Sequence, residues 1–177
     1  MVSTHPTVAY TAKQFVIPVV RKDLWGKRIA SNVAFIESEF KKSKKKDPKK
    51  SKGAISYYQK VLPKIYGVGS LEGWINHISA YFKGLKKVVY RQVKKSDMRV
   101  VVHKSTALAA QNFLVSMAGH GYDTCTMEGF DSLKVKKIIG LPSSAEISMV
   151  IGCGIRTEKG IYGPRFRVPL DEVYFEK

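Results

Sequence analysis

The stretch Cys125-Thr126-Met127-Glu128-Gly129-Phe130-Asp131-Ser132-Leu133-Lys134 decides the fold of this chain. Residues 122–127 are compatible with an extended strand, and Glu128 and Gly129 follow it as a turn. Asp131 is a suitable N-cap for a short helix, which Gly140 and Pro142 then stop. The sequence therefore predicts a strand, a turn and a short helix in direct succession.

A long apolar helix is predicted just before this unit, from a cap at Ser96 or Asp97 to about Gly119. Its few polar positions indicate a central place in the fold. Its small alanines, at positions 107, 109, 110 and 118, let a neighbouring element approach closely, which suits a core and a subunit interface equally. Further on, residues 146–153 alternate and are apolar enough to predict a core strand.

The first half of the chain is predicted to contain one strand and three amphipathic helices. Residues 14–20 are a β-branched apolar run that predicts a buried strand, in which Pro18 indicates an edge or an irregularity. Asp23 is a suitable cap for the first helix. The apolar positions at helical spacing are Ile29, Val33, Ile36 and Phe40, then Ile55, Tyr58, Leu62 and Ile65, then Leu71, Trp74, Ile75, Ile78, Phe82 and Leu85. Separated strands and helices of this kind predict an α+β layer architecture in one domain, residues 1–177.

The densest block of positive charge in this chain, whose net charge is +17, is the segment from Lys41 to Lys52, where eight lysines are opposed only by Asp47. Such a block repels itself and has nothing apolar to bury, so we predict an exposed lysine-rich loop over residues 41–53. A specific contact with a polyanion or a membrane surface is the alternative interpretation. No aromatic residue lies among the lysines to stack on a base, so nucleic acid is not the expected partner.

Side chains that commonly bind metals or carry catalysis form no recognisable pattern. The four histidines are scattered, and neither a His-Glu-x-x-His nor a Cys-x-x-Cys spacing occurs. Cys125 and Cys153 are expected to be reduced thiols. We therefore predict no metal site and no catalytic acid, base or nucleophile. A redox cofactor would explain this absence, because it brings the reactive atoms while the protein supplies position and charge.

Residues 96–175 resemble the C-terminal half of the FMN-dependent nitroreductase family in order and spacing. The resemblance is carried by Gln111-Asn112-Phe113-Leu114, residues 121–131, Leu141-Pro142, the strand ending Ile151-Gly152-Cys153-Gly154, and Arg165-Phe166-Arg167. It implies a nitroreductase-like fold, with a central mixed or antiparallel sheet flanked by helices. Residues 10–40 are more loosely similar to the family's upstream strand and helix.

The resemblance also implies an FMN site made of two segments. In the family, one segment lines the isoalloxazine ring, and its backbone amides donate to N5 and O4 of the ring. The residues of this sequence that match that segment are Thr126, Met127, Glu128 and Gly129. Arg165 and Arg167 match the basic pair that binds the phosphate, and their alternate positions on an extended segment point both side chains the same way.

The implied activity is hydride transfer from NAD(P)H through FMN to a nitroaromatic, a quinone or a similar acceptor. The implied assembly is a homodimer with the flavin at the subunit interface. A cytoplasmic location is expected, because no signal peptide and no membrane span is recognisable, and no membrane partner is expected either.

Two segments that are usual in the family have no counterpart in this sequence: an Arg-Arg-Ser type helix start and an Asn-x-Gln-Pro-Trp type stretch. Residues 1–11 contain no arginine. We therefore expect the chain to begin after those elements, as an N-terminally truncated member. Two other interpretations stay open: a non-catalytic protein of this fold that acts only by interaction, and a basic polyanion-binding protein.

Overall fold

Two antiparallel sheets organise the computed structural model, which describes residues 6–43, 47–160, 163–164 and 166–176. The larger sheet has the strand order β1 (Gln14–Val16), β5 (Val150–Gly154) and β3 (Asp123–Met127). The smaller sheet pairs β2 (Val19–Val20) with β4 (Glu146–Ile147). The predicted α+β architecture is confirmed, and all strand pairs of the described residues are antiparallel.

Helices account for most of the remaining described residues. They are α1 (Pro6–Thr11), α2 (Trp25–Lys42), α3 (Pro48–Ser56), α4 (Leu62–Tyr66), α5 (Ser70–Lys83), α6 (Lys95–Gly119), α7 (Ser132–Ile138) and α8 (Leu170–Val173). Short 3-10 turns occupy Lys22–Leu24 and Glu158–Gly160. The second predicted amphipathic helix is divided into α3, a π-helical turn (Tyr57–Val61) and α4, at the point where Pro63 has no amide to continue the regular hydrogen-bond ladder.

The lysine-rich segment is exposed as predicted where it is described, but much of it is helical instead of a loop. Helix α2 continues to Lys42, and α3 begins at Pro48. Asp47 caps α3 by accepting from the amides of Lys49 and Lys50, at 3.1 and 3.2 Å. A capped helix start with proline at its first position outweighs the like-charge repulsion, because these lysine side chains extend into water. Residues 44–46 lie outside the described residues.

The predictions for residues 14–24 are confirmed only at Pro18. The predicted strand is divided into β1 and β2, and β1 is exposed instead of buried, but the edge or irregularity that Pro18 indicates is confirmed, because the division lies there and β1 is an edge strand. The carbonyl of Pro18 accepts from the amide of Ser148. Asp23 does not cap α2, which begins without a side-chain cap. Its carboxylate is held by the guanidinium of Arg21, 2.6 Å away, and is therefore not available to the helix.

Strand β5 is the centre of the core and is covered on both faces. On one face, Ile151 and Cys153 pack against Ala110 of α6, with Phe113 and Leu114 beside them. The close approach predicted for the alanines is confirmed at Ala110, whose exposure is 3%. On the other face, α1 and the residue after it approach the bare backbone of Gly152.

Gly152→Ala is expected to lower the free energy of unfolding by about 1–3 kcal/mol, because the added methyl group overpacks the contact with α1. A Cβ at this position would lie 2.8 Å from Cγ1 of Val8 and 3.3 Å from Cβ of Ala12. Gly154→Ala is the matched control on the same strand, since nothing lies within 4 Å of its added Cβ. Urea unfolding compares the two variants, and equal stability of both would contradict the packing of α1 on β5.

Candidate functional site

Strand β3 carries the first two residues of the predicted ring contact, Thr126 and Met127. They pair with Ile151 and Val150 of β5. Met127 is 2% exposed, whereas Thr126 is exposed. The buried methionine side chain thus anchors the end of the strand, and the neighbouring threonine is open to solvent.

The turn after β3 carries the other two, Glu128 and Gly129. Glu128 is exposed and Gly129 is half-buried, and the amide of Phe130 donates to the carbonyl of Glu128 at 3.1 Å. Gly129 does not have a positive φ, so its backbone conformation is open to other residues as well. Glycine is therefore not required here by the sign of φ.

Asp131 fixes the far end of this turn. Its carboxylate caps α7 by accepting from the amides of Leu133 and Lys134, both at 3.1 Å. The amide of Lys134 is the largest cause that lowers the pKa of Asp131. The predicted strand, turn and capped helix are all confirmed, and residues 128–130 are held between a buried side chain and a helix cap.

The structure describes only one of the two arginines that are predicted to bind the phosphate. Arg165 lies outside the described residues. Arg167 is exposed, and its Nη1 donates to the carbonyl of Phe166 at 2.9 Å. Among the residues that the structure describes, Arg167 has no carboxylate partner and no hydrogen bond to the turn after β3. Its positive charge is therefore available to an anion.

An open groove of about 470 Å³ lies between α6 and the strands β1, β2 and β5. Its lining is mostly apolar: Val16, Pro18, Val19, Ser105, Thr106, Ala109, Ala110, Phe113 and Ile151. The two hydroxyls in it already donate to their own helix, Ser105 to the carbonyl of Val101 and Thr106 to that of Val102. The groove therefore suits an apolar side chain or a flat ring better than a charged group.

A polar cluster that the sequence did not predict joins α6 to the smaller sheet. The carboxylate of Glu146 accepts from Nζ of Lys22 and Nε of Arg99, and it lies 3.0 Å from Nε2 of His103. The other ring nitrogen of His103 lies 2.7 Å from Oγ of Ser148. A neutral imidazole satisfies both contacts when Nε2–H donates to Glu146 and Nδ1 accepts the hydroxyl proton. The only sequence signal for this cluster is the spacing of Arg99 and His103, one helical turn apart.

The cluster strongly favours the charged form of Glu146. Partial burial by itself raises the pKa of this carboxyl, but the donors from His103, Lys22 and Arg99 outweigh that effect and lower the pKa to about 2. Two cations already neutralise the carboxylate, so we assign the cluster to holding α6 against β4 and not to proton transfer.

The predicted absence of a metal site remains a prediction, although no group of three His, Cys, Asp or Glu side chains suited to a metal occurs among the described residues. Cys125 and Cys153 are free thiols, the first exposed and the second buried. Burial raises the pKa of Cys153, which makes that thiol less reactive. In the described part of the chain, no helix has the length and apolar character needed to cross a bilayer.

A family model described as the nitroreductase family matches residues 30–155. Among curated proteins, protein DrgA of Synechocystis sp. is 38% identical over 65 residues, which are 37% of this chain and 31% of DrgA. The chain thus spans about a third of the length of that relative.

Two solved structures share the fold. The nitroreductase family protein of Streptococcus pneumoniae has a TM-score of 0.63 at 15% identity, over 99% of this chain and 71% of that protein. A protein of Exiguobacterium sibiricum, solved in complex with FMN, has a TM-score of 0.55 at 14% identity, over 98% of this chain and 67% of that protein. The fold implied by the sequence resemblance is therefore confirmed.

Proposed function

This chain belongs to the nitroreductase family, and we propose that it is an FMN-dependent oxidoreductase. Under this proposal, hydride passes from NAD(P)H through FMN to a nitroaromatic, a quinone or a similar acceptor. When bound, FMN supplies the redox chemistry, and the protein supplies position and charge. The observation that carries the proposal is the fixed, solvent-facing turn after β3, which lies within the family match and holds Glu128 and Gly129.

The turn is suited to binding the edge of a flavin ring because it is held at both ends. Met127 anchors it in the core, and Asp131 anchors it to α7. A backbone that is fixed before the ligand arrives can direct its amides at developing negative charge without reorganising. Thr126 is exposed, and Gly129 adds no side chain to the turn.

Arg167 is proposed to bind the FMN phosphate together with Arg165. The guanidinium of Arg167 is exposed and has no carboxylate partner among the described residues, so no ion pair must be broken when an anion binds. Arginine also offers two parallel donors to a phosphate. We propose that the turn and this guanidinium bind two parts of the same FMN, the ring edge and the phosphate.

The extent of exposed surface supports the proposed homodimer. The chain exposes 13,970 Å², whereas a compact monomer of 19.8 kDa exposes about 8,600 Å². An obligate dimer interface buries about 2,000–5,000 Å² in total, roughly half of it from each copy, so the excess of one chain is more than such an interface requires. We propose that a second copy covers part of this excess surface.

Two apolar surfaces are proposed to meet the second copy. The outer face of α6 exposes Leu108 by 70% and Val115 by 61%, although its inner face packs on β5. The segment 166–176 exposes Phe166, Leu170 and Phe175 by more than 70% each. Apolar exposure of this kind marks interfaces in soluble proteins.

Reconstitution with FMN tests the proposal directly. Purified protein is incubated with FMN and desalted, and the retained flavin is measured by visible absorption and by fluorescence after heat release. We expect retained FMN, reduction of that flavin by NADH or NADPH, and a dimer in sedimentation velocity. Colourless protein after desalting, with no quenching of FMN fluorescence in a direct titration, would contradict the proposal.

A further inference from the structure

Helix α5 has its apolar side turned to solvent. Five side chains of the helix at helical spacing, together with Leu85 just after it, form what we call the α5 stripe: Leu71, Trp74, Ile75, Ile78, Phe82 and Leu85. Each of them is at least 52% exposed. The opposite side of the helix is less exposed although it is more polar, with Asn76, His77 and Ser79. The helix is therefore inverted with respect to a normal surface helix, whose apolar side faces the core.

The inward side of α5 is fixed by a close backbone contact. Gly73 is buried against the segment that leads into α6, and a Cβ there would lie 3.1 Å from Cα of Lys94. Lys94 also places its Nζ 5.0 Å from the centre of the Trp74 ring. The orientation of the α5 stripe is thus set by packing, and a simple rotation of the helix cannot bury it.

A group of cations, which we call the basic turn, borders the α5 stripe. It consists of Lys83, Lys86, Lys87 and Arg91, all exposed. The turn is ordered by its own backbone, since the amides of Lys86 and Lys87 both donate to the carbonyl of Lys83 at 3.2 Å. Arg91 closes it by donating to the carbonyl of Gly84 at 3.3 Å. Residues 73–96 contain no Asp or Glu at all.

We propose that the α5 stripe and the basic turn bind the surface of an anionic lipid bilayer. Aromatic and aliphatic side chains beside lysines are the composition of helices that lie in the bilayer interface. Tryptophan in particular prefers the depth of the lipid headgroups. The cations add attraction to anionic headgroups, to which the net charge of +17 also contributes.

A second copy of the chain fits this surface less well than a bilayer does. Helix α5 and the basic turn together carry four cations, Lys83, Lys86, Lys87 and Arg91, against one carboxylate, Glu72, so two copies in contact through this surface bring an excess of like charge together and repel. Nucleic acid also fits less well, because Leu71, Ile75 and Ile78 cannot stack on bases and such interfaces are more polar than the α5 stripe.

Tryptophan fluorescence makes the contact measurable. The chain has two tryptophans, so Trp25→Phe leaves Trp74 as the only reporter. With vesicles of phosphatidylcholine and phosphatidylglycerol, we expect a blue shift of Trp74 emission and quenching by brominated acyl chains. Vesicles of phosphatidylcholine alone should give at least about tenfold weaker binding, and added salt should weaken the binding to anionic vesicles.

Paired charge reversals distinguish binding through the basic turn from a general effect of the protein's net charge. Lys86→Glu with Lys87→Glu is expected to weaken vesicle binding at least about tenfold, whereas Lys49→Glu with Lys50→Glu on α3 makes the same change in net charge and should weaken it much less. Ile75→Ser with Ile78→Ser tests the apolar part at two exposed positions where folding is not at risk. None of these measurements requires bound flavin.

Four results would overturn the proposal. The first is an unchanged Trp74 emission spectrum with anionic vesicles, and the second is an equal loss of vesicle binding in the charge reversals of the basic turn and of α3. The third is protection of Trp74 from acrylamide quenching in the protein without vesicles, and the fourth is protection of Trp74 from acrylamide quenching by single-stranded DNA. The third result would show that a second copy covers the α5 stripe. The fourth would show that nucleic acid is the partner.

Discussion

Glu146→Gln is expected to lower the free energy of unfolding at pH 7 by about 2–3 kcal/mol. The carboxylate accepts from Lys22, Arg99 and His103, and its removal leaves these donors with a neutral partner. The pKa of Glu146 is about 2 in the folded protein, against an ordinary value of 4.5, so the native state binds the charged form preferentially. Urea unfolding at pH 7 measures the loss.

The same substitution should remove part of the pH dependence of stability. Because the folded pKa is lowered, the contribution of Glu146 is fully present above pH 4.5 and is lost as the pH falls towards about 2. Wild type and Glu146→Gln should therefore converge in stability across that window. Glu37→Gln is the control, since Glu37 is exposed and has no ion pair among the described residues. A stability difference that is constant from pH 7 to acid would contradict the assignment.

Replacement of Arg165 and Arg167 by alanine is expected to abolish most FMN affinity. A hydrogen bond to a charged group contributes about 1.5–3 kcal/mol, so each arginine corresponds to roughly a tenfold to hundredfold change in the dissociation constant. Fluorescence titration with FMN measures the single and double variants. Stability without FMN should change little in Arg167→Ala, because the Arg167 side chain is exposed and has no carboxylate partner among the described residues.

The control for this prediction is Arg156→Ala, which removes one positive charge closer to the sheet. Arg156 is paired with Asp123, with 3.6 Å between Nη1 and Oδ1, and we do not assign it to the phosphate. Its variant should bind FMN almost as tightly as wild type. An equal loss for Arg156→Ala and Arg167→Ala would indicate a general effect of charge and would refute the specific phosphate site.

Local signals in the sequence predicted the turn after β3 well, because neighbours along the chain decide its structure. Asp131 caps α7 as predicted, since no cation competes strongly enough to take its carboxylate from the amides. The same reasoning failed for Asp23, because the guanidinium of Arg21 binds its carboxylate. It also overlooked Asp47, which caps the start of α3 within the lysine-rich segment. An aspartate is thus a cap only where the backbone is its best partner.

Contacts between residues far apart in the chain could not be predicted from the sequence. Glu146, Lys22 and the α6 residues Arg99 and His103 come from three separate stretches, and the spacing of Arg99 and His103 indicates only that those two share a side of the helix. Helical periodicity predicted the apolar positions of α5 correctly, but periodicity only says that such residues share a side. It does not say that the side is covered, and in α5 it is open to solvent.

The pairing of β1 with β5 joins the beginning of the described chain to a strand near its end. Gln14 meets Cys153, so sheet formation must close a loop of about 140 residues, which is entropically slow. On the ribosome, the first strand has to wait, unpaired, until residues 150–154 emerge. The backbone amides and carbonyls of the first strand therefore stay without their strand partner until synthesis has passed β5.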